Sequence, residues 1–118
     1  MQYRYTIYDL TVPEIPSITR VNDWIRELLK TWNITVRDSI STVFPNSDLA
    51  YTIAYVLSES HAVIHTSPET QWVEIVFAFC TDVDPYKMEA AVTSFFEPTK
   101  VRITNLVGEP PREKRSLV

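Results

Sequence analysis

A chain of 118 residues, 45% apolar and 22% charged, can bury one hydrophobic core but not two. Its net charge of −4 and pI of about 5.1 argue against a nucleic-acid partner and suit a small cationic one. Gly108 is the single glycine, which excludes a glycine-rich phosphate loop; Cys80 is the single cysteine, which excludes an internal disulfide; two histidines and scattered acids do not make a structural zinc site, so no metal is expected.

The opening MQYRYTIYDL has neither the basic start nor the apolar run of a secretory leader, and no apolar run elsewhere reaches membrane-crossing length. A cytoplasmic location without a membrane partner is the expectation. In chain order, Gln2 to Asp9 alternates Tyr3, Tyr5 and Ile7 against Arg4, Thr6 and Tyr8, a half-buried strand pattern. A proline-punctuated loop follows, and Ser17 can cap a helix whose Ile18, Val21, Trp24, Ile25, Leu28, Leu29 and Trp32 recur at helical spacing. The Trp24 and Trp32 pair suits the core of that helix. Asn33 ends it, and Ile34 to Phe44 reads as a second strand closed by the turn Pro45-Asn46-Ser47-Asp48.

Leu49 to Leu57 is nearly unbroken in apolar character, the pattern of a strand buried on both faces. Ser58-Glu59-Ser60 interrupts it without glycine or proline. Ala62 to Thr66 and Gln71 to Cys80 read as two further strands around the turn Ser67-Pro68-Glu69-Thr70. Asp84 with Pro85 behind it starts a second helix, with Met88, Ala91, Val92, Phe95 and Phe96 on its inner face and Pro98 as its stop. Thr99 to Val107 is the last strand. The order β-α-β-β-β-β-α-β predicts an α+β two-layer sandwich, a mostly antiparallel sheet with two helices on one face. Residues 1–108 are expected to form one domain, and 109–118 a disordered basic tail.

Reactive side chains concentrate between Leu57 and Cys80. The Ser60 hydroxyl can attack the carbonyl of Glu59 and turn the amide into an ester, a step that needs backbone strain, a base and donors for the oxyanion. Elimination of that ester would free the first half of the chain and leave dehydroalanine, which becomes a pyruvoyl group on losing ammonia. A serine after a glutamate is also an ordinary turn residue, and the pair alone does not choose between the two readings. His61 and His65 fall on one face of their strand with Val63, and a histidine beside a nucleophile can shuttle its proton. Cys80 closes an apolar strand, where a thiol can return a proton to a carbanion or simply pack. Glu69 and Glu74 are the nearest carboxylates in sequence, equally readable as solvated side chains.

The run Glu59-Ser60-His61-Ala62-Val63-Ile64-His65-Thr66-Ser67-Pro68-Glu69, followed by Phe77-Ala78-Phe79-Cys80 and Asp84-Pro85-Tyr86-Lys87, resembles the short bacterial-type S-adenosylmethionine decarboxylase proenzymes. The likeness is sharp from about Leu57 to Lys87 and topological before that. It implies autocatalytic cleavage between Glu59 and Ser60, giving a β chain of 1–59 and an α chain of 60–118. It further implies a pyruvoyl group derived from Ser60 that forms a Schiff base with the substrate amine and acts as electron sink while carbon dioxide leaves. His65 would assist processing in the elimination step, and Cys80 would return the proton. The family works as a dimer of αβ units with residues of both protomers near each site. Its product is the aminopropyl donor of polyamine (spermidine) synthesis.

Three positions depart from the family pattern. Ser67 stands where the family has a pocket tryptophan, a loss on the order of 1–3 kcal/mol of stacking. Thr52 stands at a second processing serine and keeps its hydroxyl. The glycine-bearing turn before that strand is missing, so the family's pocket phenylalanine is either Phe44, by a shifted alignment, or absent. These changes open two alternatives: a pyruvoyl-dependent decarboxylase of another amino acid such as arginine or ornithine, or an unprocessed homologue that binds a partner subunit or metabolite.

Overall fold

The computed structural model describes residues 3–58 and 60–109. Eight elements follow the predicted order: β1 (Tyr3–Thr11), α1 (Ile18–Thr31), β2 (Val36–Val43), β3 (Tyr51–Leu57), β4 (Ser60–Ser67), β5 (Trp72–Phe79), α2 (Pro85–Phe96) and β6 (Lys100–Gly108). The strands make one sheet in the order β2-β3-β4-β5-β1-β6, and each neighbouring pair is antiparallel. The architecture is the expected α+β sandwich.

Local chemistry sets the helix ends. Ser17 accepts a hydrogen bond from the Arg20 amide at 3.2 Å, and α1 ends at Trp32 before Asn33 turns to a φ of 59°. Asp84 accepts from the Tyr86 amide at 2.9 Å with Pro85 in the first turn, and α2 ends on Glu97 in the left-handed region ahead of Pro98. Both helices cover the same side of the sheet. Val21, Ile25 and Leu29 of α1 and Met88, Val92 and Phe96 of α2 join Tyr8, Leu10, Tyr51, Ile53, Tyr55, Ile64, Ile75 and Phe77 in the core. Trp24 of α1 stacks on Phe95 of α2 at 4.6 Å, and Trp32 meets Phe77 and Phe79 edge-on, which bears out the core reading of both tryptophans.

One expectation is corrected. The apolar run ending at Leu57 is not covered on both faces within this chain: Tyr51, Ile53, Tyr55 and Leu57 are buried under the helices, Thr52 and Ala54 are half-buried, and Val56 is 55% exposed. Two helices cover only one side of a six-stranded sheet, so alternate residues of a central strand face outward however apolar they are. The strand after it also starts earlier than its apolar residues suggested. Leu57 pairs directly with Ser60, so the serine belongs to β4 and not to the linking turn. Glu59 and the tail beyond Glu109 lie outside the described residues, so the predicted disorder of that tail is almost wholly outside them too.

Candidate active site

The face away from the helices organises into rows running across the strands. A middle row, Ile40, Ala54, Val63, Val76, Ile7 and Thr104, is apolar apart from its last member. On one side of it lies the row Asp38, Val56, His61, Ala78, Tyr5 and Leu106. On the other lies Thr42, Thr52, His65, Glu74, Asp9 and Arg102. The pleat makes His61 and His65 share this face, as their spacing predicts.

Around Ser60 the backbone is under tension. Hairpin links as short as the one joining β3 to β4 usually recruit glycine for positive φ, and this chain has none there. Ser60 itself carries a φ of 137°, a region that side-chain-bearing residues occupy at a cost of about 1–3 kcal/mol. Its Oγ lies 3.3 Å from His61 Nδ1, and His61 Nε2 lies 2.9 Å from the Tyr5 hydroxyl. Ser60 also pairs with Phe79, the residue before Cys80, so the serine on β4 and the thiol just beyond β5 lie at one end of the sheet. A cavity of about 320 Å³ opens beside them, lined by Tyr3, Arg4, Phe79, Cys80, Thr81, Asp82 and Val107.

His65 is elsewhere. It occupies the opposite row, with its Nδ1 2.7 Å from the Thr52 hydroxyl and its ring edge-on to Phe44 and Trp72 at 6.0 and 5.7 Å. Trp72 donates its indole N–H to Asp9 at 3.0 Å, and Asp9 is held in turn by Arg102 at 3.2 Å. A second cavity of about 510 Å³ adjoins this cluster, lined by Phe44, Asn46, Ser47, Ala50, His65, Thr66, Ser67, Pro68 and Glu69. Ser67 pairs with Trp72 across the β4–β5 ladder, so an indole stands directly beside the position where the family pattern has its tryptophan.

The sequence-derived candidates therefore divide into two groups. Ser60, His61 and Cys80 gather at one end of the sheet; Thr52, His65, Phe44 and Glu69 gather at the other. Tyr5, Ala78 and Trp72 were missed as functional candidates, because their relation to the histidines depends on which strands become neighbours. Among the described residues no cluster of three or more metal-ligating side chains forms, and no helix is long and apolar enough to cross a membrane.

The fold is that of a solved relative, the adenosylmethionine decarboxylase from Aquifex aeolicus VF5: the two superpose with a TM-score of 0.70 at 23% identity over 97% of each chain. No curated protein sequence matches the chain. The S-adenosylmethionine decarboxylase family model matches residues 3–107, nearly the whole length of the chain, and the chain belongs to that family.

Proposed function

We propose that the protein is a self-processing, pyruvoyl-dependent decarboxylase of S-adenosylmethionine, assembled as a dimer whose sites are each completed by both copies. The observation that carries this reading is Ser60: a serine held at a φ of 137°, with an imidazole nitrogen 3.3 Å from its hydroxyl. Strain in the ground state and a base at the nucleophile are what an amide-to-ester rearrangement requires. The residues around it fit a pyruvoyl group formed at position 60, with Cys80 at the end of the neighbouring strand to deliver a proton. Such a group supplies an electron sink for loss of carbon dioxide.

The placement of the two groups supports the dimer. Ile40 is 74% and Val56 55% exposed, and the helices leave this whole face uncovered. Sheets pack face to face about 10 Å apart. A two-fold axis parallel to the apolar middle row would lay the His61 row of one copy over the His65 row of the other, because rotation about it exchanges the two ends of every strand. Two equivalent composite sites result, each with Ser60, His61 and Cys80 from one copy and Thr52, His65, Phe44 and Glu69 from its partner. Within this arrangement His65 serves the elimination step that follows ester formation.

The substrate reading rests on the second half-site. Phe44 and Trp72 both contact the His65 ring, so aromatic surface for a nucleobase is retained although residue 67 is a serine. Glu69 lines the same cavity and can accept from hydroxyl groups of a ribose. This favours S-adenosylmethionine over arginine or ornithine, neither of which has a ring to stack. The product would supply aminopropyl groups for polyamine synthesis, in the cytoplasm.

A denaturing intact-mass spectrum of the purified protein tests the reading. The expected result is two chains, 1–59 and 60–118, the second lighter by one ammonia than hydrolysis alone would leave it. A single full-length mass overturns self-processing and favours the unprocessed, partner-binding alternative.

A further inference from the structure

We infer that His61 is the base that takes the Ser60 hydroxyl proton in the first step of processing, and that Tyr5 is the positioning residue that keeps His61 competent to do so. The inference rests on the self-processing reading above and assigns its opening step. Tyr5 and His61 are not sequence neighbours and not on adjacent strands; β5 runs between them. The residue of β5 that pairs with both is Ala78. Strands flanking a third are separated by roughly 10 Å, and a methyl group in the middle leaves room for the two rings to meet above it. They do so edge-on at a centroid separation of 5.7 Å, with the phenol oxygen 2.9 Å from Nε2.

The direction of these hydrogen bonds decides the chemistry. Nδ1 can accept from Ser60 only if the ring proton sits on Nε2, and Nε2–H then donates to the Tyr5 oxygen. In the attack the Ser60 O–H proton moves to Nδ1 while Oγ bonds to the preceding carbonyl carbon. The resulting imidazolium keeps Tyr5 as acceptor for Nε2–H. Collapse of the tetrahedral oxyanion breaks the carbon–nitrogen bond, and Nδ1 returns its proton to the departing amine. The ester that results needs no further reagent, and His61 ends the step neutral. His65, in the opposite row, does not take part; it acts afterwards on the ester.

Hydroxylamine cleaves an ester but not the parent amide, so it separates the two steps. Fresh wild-type and variant proteins are followed by denaturing gel with and without hydroxylamine. His61→Ala is expected to form fragments about 10²-fold more slowly, to show no hydroxylamine-labile species, and to recover cleavage when imidazole is added. Tyr5→Phe keeps the edge-on ring and loses only the acceptor; a slowing of roughly tenfold is expected. Ala78→Val fills the space between the rings and should slow cleavage similarly without touching either.

Cleavage of His61→Ala at the wild-type rate overturns the inference, as does a folded His61→Ala that imidazole does not restore. Accumulation of the ester in His61→Ala would move His61 to the elimination step and equally overturn it. An unchanged rate in Tyr5→Phe removes Tyr5 from its role. Failure of the wild type itself to cleave sinks the self-processing reading instead, and is seen before any variant is made.

Discussion

Two inactive variants should restore one another. Ser60 and His65 belong to the same strand, five positions apart, and β-strands rise about 3.3 Å per residue, so their backbones are separated by roughly 17 Å. Proton transfer needs approach to about 3 Å, far less than that separation, so His65 cannot serve the Ser60 of its own chain. Ser60→Ala and His65→Ala chains, co-expressed with different tags, should pair at random, making about half of the dimers mixed. Each mixed dimer holds one defective site, with both substitutions, and one intact site. The intact site joins Ser60 of the His65→Ala chain to His65 of its partner. About half of the His65→Ala chains should therefore be cleaved, against none when that variant is expressed alone. Tag-specific detection on a denaturing gel reads this directly, and native mass spectrometry verifies that mixed dimers formed. Mixed dimers with no fragments from the His65→Ala chain would refute the two-copy site, and so would cleavage of that variant by itself.

Cys80→Ala should process at the wild-type rate yet decarboxylate about 10²-fold more slowly, as measured by carbon dioxide release, since the loss falls on proton return and not on ester formation; unchanged turnover would remove the thiol from the reaction. Stability should fall in alkali. Burial chiefly, with Glu89 adding to it, pushes the Tyr8 phenol up to about 12, and burial raises Tyr51 and Tyr55 further. A folded-state pKa above the unfolded value near 10 means that the native state holds the proton more tightly. The stabilisation is complete below pH ~10 and is lost as pH rises through the folded values, by about 1.4 kcal/mol per pH unit for each phenol. Urea midpoints at pH 8, 10 and 11 would measure the slope, and Tyr51→Phe should flatten it. A midpoint that does not move above pH 10 would contradict this account.

Much of the architecture was legible because its determinants are local. Ser17 and Asp84 cap helices through their own side chains, Pro85 fits only a first turn, and the alternation along β4 follows from the pleat, whereas in β1 it is Thr6, Tyr8 and Leu10, not Tyr3, Tyr5 and Ile7, that are buried. The candidate site residues were picked out by type and spacing in the same way: Ser60, His61, His65 and Cys80 lie in one run of chain. Their grouping was not legible. Nearness in sequence suggested one cluster, whereas strand rise carries His65 to the far row of the sheet.

Sequence alone determined the element order, the caps and the shared face of the two histidines, and it singled out Ser60 as the candidate nucleophile, since each reading depends on a few neighbouring residues. Tertiary structure decided which strands became neighbours. It thereby set Ala78 between Tyr5 and His61, paired Ser67 with Trp72 and left the outer side of β3 bare. Those outcomes depend on cross-strand register between distant segments, which the packing of the whole sheet against two helices selects and no short stretch of chain encodes.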